Sequence, residues 1–298
     1  MKVAVLMSVY NGASYLEEQL NSIANQTVAE DMTIYIRDDG SADETFRIIE
    51  AFQDKCDMKL IRGENVGPGK SFWELLTNPD IQADYYAFAD QDDIWDTDKL
   101  ERAIYTLGRD YQLYMCNCRL IDEKNEVIND LFRENIPVMT IPRQCICGMG
   151  HGCAMVFTDE LRKKIVDAKI TCIPYHDSVV MLYALGLGKV YYDIRPHFSY
   201  RMHEGNVVAK NGKSFIGRIC SSFKTWKSNA KYSMSVVAEE MLSNDLELDE
   251  DTKEYLGNLM NYKKSFSAKR KILKYQDVEG ITPQALRSYR MRVWLNLF

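Results

Sequence analysis

The chain has 298 residues, 46% hydrophobic, 11% aromatic and 27% charged, which is enough to bury one large core or two smaller ones and excludes a disordered protein. Its net charge of −6 conceals a split, because residues 1–209 carry 21 Lys+Arg against 33 Asp+Glu and residues 210–298 carry 16 against 10. No run approaches the roughly 18 consecutive apolar residues of a membrane span, no helix-turn-helix or RNP-like stretch argues for nucleic acid, and the eight cysteines lack zinc-site spacing, so a cytoplasmic protein with reduced thiols is expected.

The opening "KVAVLMSVY" is an apolar, β-branched run, and a turn at Asn11–Gly12 separates it from "GASYLEEQLNSIANQ", where Tyr15, Leu16, Leu20 and Ile23 recur at helical spacing. "MTIYIRDDG" is a second strand, and "SADETFRIIEAF" a second helix with Ser41 as N-cap and Glu44 three residues on. "MKLIRG" and "GKSFWELL" give a third strand and helix, and "YYAFAD" a fourth strand. Further on, "YQLYMCNCRLID" reads as a strand, "RQCICGMGHGCAMVF" as a glycine-broken loop running into a strand, and "TDELRKKIVDA" and "DSVVMLYALGLG" as helices. "KVYYDIRPHFSYRMH" reads as a strand pair, and from Lys213 the chain turns helical, with Tyr255, Leu256, Leu259, Met260 and Phe266 near one stripe and Pro283 opening a last helix. Alternating strands and helices imply an α/β fold with a mainly parallel sheet over residues 1–212 and a basic helical extension over 213–298, with ligands beyond the carboxyl ends of the strands.

Several candidate residues fall at those ends. Asp90, Asp92, Asp93, Asp96 and Asp98 crowd the exit of the fourth strand; neighbouring carboxylates repel, and a divalent metal such as Mn²⁺ or Mg²⁺ would neutralise them. Asp93, Asp96 and Asp98 read first as a solvated turn and helix cap, whereas Asp90 and Asp92 follow directly on a buried run. Asp38 and Asp39 share a crevice with Tyr10 and Asn11, where an aromatic face and an acceptor suit a nucleobase and its ribose. In "RGENVGPGKSF" five residues separate Gly63 from Gly69 where a P-loop has four; Lys70 is either a phosphate contact or a surface lysine. No G-x-G-x-x-G follows the first strand, which argues against a dinucleotide fold. Trp95 is assigned to the core.

"SVYNG", "DDGSADET", "NVGPGKS" and "DQDDIW", in that order, resemble the family-2 glycosyltransferases of the GT-A fold, and "HDSVVMLYALG" and "YRMHEGN" resemble rhamnosyltransferase-like members. The resemblance spans roughly the first 210 residues and implies the following roles. Ser8 and Tyr10 line the nucleobase pocket, Asp39 accepts from the base and Asp38 supports it. Asp92 ligates the metal, with Asp90 and Asp93 beside it. Asp177 deprotonates the acceptor hydroxyl, and Arg201 and His203 approach the diphosphate from a mobile loop. His151 and Gly152 lie on a loop that either meets the acceptor or is structural, and Asp177 read alone is a helix N-cap. The expected reaction is inverting, metal-dependent transfer, with L-rhamnose from dTDP-rhamnose first and a UDP-hexose or UDP-N-acetylhexosamine second, to a lipid-linked or polysaccharide acceptor. A Q-x-x-R-W motif of the processive synthases is absent, so one sugar per encounter is expected. A nucleotidyltransferase or a non-catalytic nucleotide-sugar-binding module are the competing classes. The basic extension suggests peripheral association with the anionic inner face of the plasma membrane, or a homodimer contact through the C-terminal helices.

Overall fold

A computed structural model describes residues 1–171, 175–203, 233–275, 279 and 281–298. The chain divides into two compact units. One comprises Met1–Ile136, Gly150–Lys163 and the described part of Lys189–Ala209; the other comprises Pro137–Met149, Lys164–Gly188 and the described part of Lys210–Phe298. The boundary expected between residues 212 and 213, and Glu204–Asn206 of the "YRMHEGN" stretch, lie outside the described residues.

The first unit is organised by a sheet with nine strands among the described residues. β1 (Val3–Val9) is buried almost throughout, as an apolar strand covered on both faces requires. It lies parallel between β2 (Met32–Asp38) and β4 (Tyr85–Ala89), and β3 (Met58–Arg62) continues the parallel set beyond β2. The connecting helices are α1 (Leu16–Ala24), α2 (Thr45–Phe52) and α3 (Pro68–Thr77). Beyond β4 come β5 (Ile94–Trp95), α4 (Lys99–Leu107), β6 (Leu113–Ile121), β7 (Val127–Asn129), β8 (Met155–Thr158) and β9 (Val190–Arg201), giving the order β3-β2-β1-β4-β8-β6-β9-β5 with β7 on β6. β8 is antiparallel to β4 and to β6, and β9 is parallel to β6, so β1 to β4, β6 and β9 share one direction. The mainly parallel α/β sheet is therefore as expected.

Local details differ from the sequence reading. Ser41 does not cap α2: Glu44 holds the cap position without a side-chain bond, and the Ser41 hydroxyl accepts from the Asn11 amide instead. The expected strand pair after residue 189 is one strand, β9, which accommodates Pro196 where its register with β6 shifts at Cys116/Asn117; the Asn117 side chain donates to the Ile194 carbonyl at 3.0 Å. The first part of the expected glycine-broken loop is helical: α5 (Ile141–Cys147), with the Thr140 side chain accepting from the Arg143 amide and Pro142 in the first turn.

α5 belongs to the second unit, with α7 (His176–Gly186), α8 (Met234–Ser243), α9 (Glu250–Asn261), α10 (Phe266–Leu273) and α11 (Pro283–Trp294); α6 (Asp159–Asp167) lies between α5 and α7 in the chain. Ser233, Asp249, Ser265 and Thr282 cap α8 to α11, each accepting from a first-turn amide. Their apolar faces share a core that includes Leu182, Met241, Tyr255, Leu256, Leu259 and Val293. Phe266, expected on that stripe, is 83% exposed, because the chain turns between α9 and α10 and starts a new helical phase.

His176 is buried in this unit, and desolvation lowers its pKa from 6.5 to about 3, so the fold holds it neutral. A depressed folded value gives stability that is complete above 6.5 and lost as pH falls toward 3, by about 1.4 kcal/mol per pH unit. Urea unfolding at pH 7 and pH 4.5 should show this loss in the wild type, and His176→Leu should flatten it; an unchanged slope in the variant would assign the acid sensitivity elsewhere.

Candidate active site

Because β2, β1 and β4 are adjacent and parallel, their carboxyl ends open on one edge of the sheet. There a crevice of about 460 Å³ is lined by Ser8, Tyr10, Asp39, Gly67, Asp90, Asp92 and Tyr200, among others. A larger cavity, about 830 Å³, lies among Thr140, Tyr255, Arg270 and Lys271 of the helical unit, and its lining contains none of the expected site residues.

The side of the crevice at the ends of β1 and β2 is fixed by backbone-directed bonds. Asp39 accepts from the Arg37 guanidinium and from the amides of Val66 and Gly67, both at 2.9 Å; its Oδ2 takes one of these three and keeps accepting capacity. Tyr10 is 47% exposed, and its backbone is clamped by Gln91, which accepts from the Tyr10 amide at 2.8 Å and donates to the Tyr10 carbonyl at 3.2 Å. Gly12 is required by the same clamp, since a Cβ there would lie 2.5 Å from Gln91 Oε1. The Ser8 hydroxyl donates to Ser71 at 2.6 Å. Asn11, at φ +48°, and Asp38 knit two loops together: Asn11 Oδ1 accepts from the Ala42 amide and Asp38 Oδ1 from the Ser41 amide, each at 2.9 Å. Lys70 is exposed on α3, 3.8 Å from Glu74, and does not line the crevice.

At the exit of β4 the acids separate. Asp90 and Asp92 line the crevice, whereas Asp93 is fully buried, contrary to the solvated turn expected for it. The reason is β5, which sequence reading missed: Ile94 and Trp95 pair with Ser199 and Phe198 of β9 and draw Asp93 inward. Trp95 is buried, as expected. Burial, then the charges of Asp90 and Asp92, push the Asp93 carboxyl well above the usual range. Asp96 pairs with Arg119, and Asp98 Oδ1 lies 3.3 Å from His197 Nδ1.

Beneath the cluster sits Lys99, also missed from sequence. Its ammonium is fully buried, donates to the Cys153 carbonyl at 2.6 Å and lies 3.5 Å and 4.6 Å from the ring centroids of Trp95 and Phe198. Burial lowers its pKa, and Cys116 and Cys153, then Asp93 and Asp90, oppose that shift. The available signal was a lysine in the first turn of "KLERAIYTL" on the same face as Ala103 and Thr106.

Arg201 and His203 are not where a mobile loop would put them. Arg201 ends β9, is 1% exposed, and donates to the Asp92 carbonyl at 2.9 Å, to Glu18 and to Asn125, with its guanidinium 4.5 Å from the Tyr15 ring centroid. His203 Nε2 lies 2.7 Å from Asp92 Oδ2, so both residues fix Asp92. His151 packs between Phe132 and Tyr200 at centroid distances of 5.2 and 5.6 Å; burial, then Arg133, lower its pKa and keep it neutral. Gly152 opens a buried 3₁₀ turn. Asp177 lies inside the first turn of α7, where Tyr175 holds the cap position, so the N-cap reading of Asp177 is incorrect.

The donor set suits a hard cation. Asp90 and Asp92 line the crevice, Asp93 Oδ2 is buried without a hydrogen-bond partner among the described residues, and Asp90, Asp93 and Cys153, a set that does not include Asp92, bring one ligand atom each within 4.8 Å of one another. Burial, Asp93 and Asp90 push the Cys153 thiol well up, so it stays protonated and the available ligands are oxygens.

Comparison with known proteins agrees with this geometry. The model of the glycosyl transferase family 2 matches residues 4–163. The dTDP-rhamnosyl transferase RfbG of Shigella flexneri is 30% identical over 281 residues, covering 85% of this chain and 91% of that protein. The crystal structure of S. aureus TarS 1-349 in complex with UDP-GlcNAc superposes with a TM-score of 0.64 at 20% identity, over 100% of this chain and 79% of that one. The mannosyltransferase PcManGT from Pyrobaculum calidifontis, in complex with GDP-Man and Mn²⁺, gives 0.52 at 16% identity over 100% and 81%. The fold is thus GT-A, and the chain belongs to family 2 of the glycosyltransferases. It is a glycosyltransferase of glycan synthesis.

Lys99→Met should cost about 3 kcal/mol or more in urea unfolding, because it removes the buried cation beside Asp93 and leaves the Cys153 carbonyl unsatisfied. A loss within the ~0.5 kcal/mol typical of a surface substitution would show that the ammonium does not hold the cluster.

Proposed function

We propose that this enzyme is metal-dependent and inverting, and that it moves L-rhamnose from dTDP-rhamnose to a hydroxyl of a lipid-linked or polysaccharide acceptor at the cytoplasmic face of the membrane. The observation that carries the donor half is the meeting of Tyr10 and Asp39 with Asp90 and Asp92 in one crevice. The rhamnosyl assignment is supported by the name and 30% identity of the Shigella flexneri relative; a UDP-hexose or UDP-N-acetylhexosamine donor is the second reading.

Tyr10 offers its ring to the base, and Asp39 Oδ2 accepts from a base N–H. Asp92, held by His203 and by Arg201 through its carbonyl, would hold a divalent ion with Asp90 beside it. An ion held by Asp92 and Asp90 would supply Lewis-acid stabilisation of the charge that develops on a diphosphate leaving group. Asp93 and Lys99 stay internal and keep the β4 exit rigid. Asp177 takes the proton of the acceptor hydroxyl as that oxygen attacks the anomeric carbon, and the single displacement inverts the centre.

A panel of nucleotide sugars incubated with Mn²⁺ should release dTDP from dTDP-rhamnose faster than UDP from any UDP-sugar; the reverse order would move the donor to the second reading, and release of inorganic pyrophosphate would indicate a nucleotidyltransferase. Asp92→Asn should abolish metal-dependent turnover with an unchanged melting curve, and full activity across a Mn²⁺ titration would remove the metal assignment. Asp177→Asn should keep donor affinity by calorimetry while turnover falls about 10²–10⁴-fold. Intact turnover in that variant would leave Asp177 a first-turn acid that only complements the helix dipole.

A further inference from the structure

The helical unit carries a face that the transfer chemistry does not use. Residues 261–275 and 281–298 hold nine Lys and Arg and no acid. Of the apolar residues there, Ile272 is core, but Phe266, Met291 and Trp294 are 83%, 50% and 69% exposed. Met291 and Trp294 are one turn apart on α11, and Arg287 and Arg290, both exposed, fall on the same stripe. Lys269, one turn along α10 from Phe266, donates to the Trp294 carbonyl at 3.4 Å and to Asn296 Oδ1 at 2.7 Å, which joins the end of α11 to the face of α10 that bears Phe266. Lys271 is paired with Glu254 of α9 and Glu279 lies between the two segments, but Arg287 and Arg290 on α11 and Lys264 and Arg270 at α10 are exposed near two large aromatics and a methionine, a combination suited to an interface that is apolar within and anionic at its surface.

We propose that α10 and α11 form a docking face for a bilayer of anionic lipid, with Phe266, Met291 and Trp294 entering the headgroup boundary and Arg287, Arg290, Arg270 and Lys264 meeting phosphates. Charge complementarity selects this occupant. A second copy on the same face, in a two-fold contact, would set basic residues against basic residues and is disfavoured. The purpose of the face rests on the lipid-linked-acceptor reading above; its physics does not.

Flotation of the full chain with vesicles tests it. The protein should float with phosphatidylcholine mixed with phosphatidylglycerol, remain behind with phosphatidylcholine alone, and be released as NaCl is raised. Arg287→Gln with Arg290→Gln should weaken partitioning roughly thirtyfold at low salt, taking each basic side chain as worth about fivefold. Phe266→Ser with Trp294→Ser should weaken it further at fixed salt, and tryptophan quenching by brominated lipid should be lost in Trp294→Phe. Nucleoside diphosphate release, measured without lipid, should be the same in all these variants. Equal flotation with neutral vesicles, or variants that bind anionic vesicles like the wild type, would overturn the proposal. So would a concentration-dependent dimer in light scattering that the aromatic variants dissociate. If turnover of the proposed donor fails while flotation behaves as described, the docking face stands and the donor reading falls.

Discussion

Five carboxylates within the nine residues that follow β4 have to be held against their own repulsion, and the rest of the site follows from how this is done. The chain supplies internal partners for the inner acids. Lys99 lies beneath Asp93, Arg119 takes Asp96, and His197 stands beside Asp98. The outer pair is treated differently: His203 and Arg201 orient Asp92 from behind, while Asp90 and Asp92 keep a surface toward the crevice. Partners within the protein hold the inner acids, and Asp90 and Asp92 are left lining the crevice, where the proposed ion and diphosphate would sit. Tight loops make that division possible, and they depend on small groups: Gly12 makes room for Gln91, and Gly63 for Arg37, whose Nη2 would lie 2.6 Å from a Cβ there.

The parallel half of the fold was legible because its signals are local. β1 to β4 are apolar runs closed by turn residues, and each intervening helix shows its stripe within ten residues or so. The same locality exposed Tyr10, Asp39, Asp90 and Asp92, which sit at strand ends. What sequence could not show depends on pairing between distant segments. β5 is two residues long and exists only because β9 lies beside it, and that pairing decides whether Asp93 is solvated or buried. β9 runs through Pro196 only because β6 shifts register to meet it, so a proline that reads as a break is a bulge. Arg201 and His203 were found as a motif, but their partners, Glu18 and Asp92, lie more than a hundred residues away, and only the structure shows that they act on the protein itself.

The helical unit shows the same contrast. Its caps at Asp249, Ser265 and Thr282 are readable one residue before each helix, and Pro283 opens the last helix as expected. Phe266 was misassigned because it continues the apolar spacing of α9 on paper, whereas the turn at Lys264–Ser265 resets the phase. That misplacement leaves an aromatic in solvent among cations, and the exposed face of α10 and α11 is its consequence.

The central claim is that a divalent ion at Asp92 and a nucleotide between Tyr10 and Asp39 share the crevice. Anomalous diffraction from crystals grown with Mn²⁺ and dTDP tests it most directly. The account predicts a manganese peak in contact with the Asp92 carboxylate and the diphosphate, with thymine against Tyr10 and within hydrogen-bond reach of Asp39. A nucleotide bound away from β1 and β2, or manganese held by residues other than Asp90 and Asp92, would contradict it.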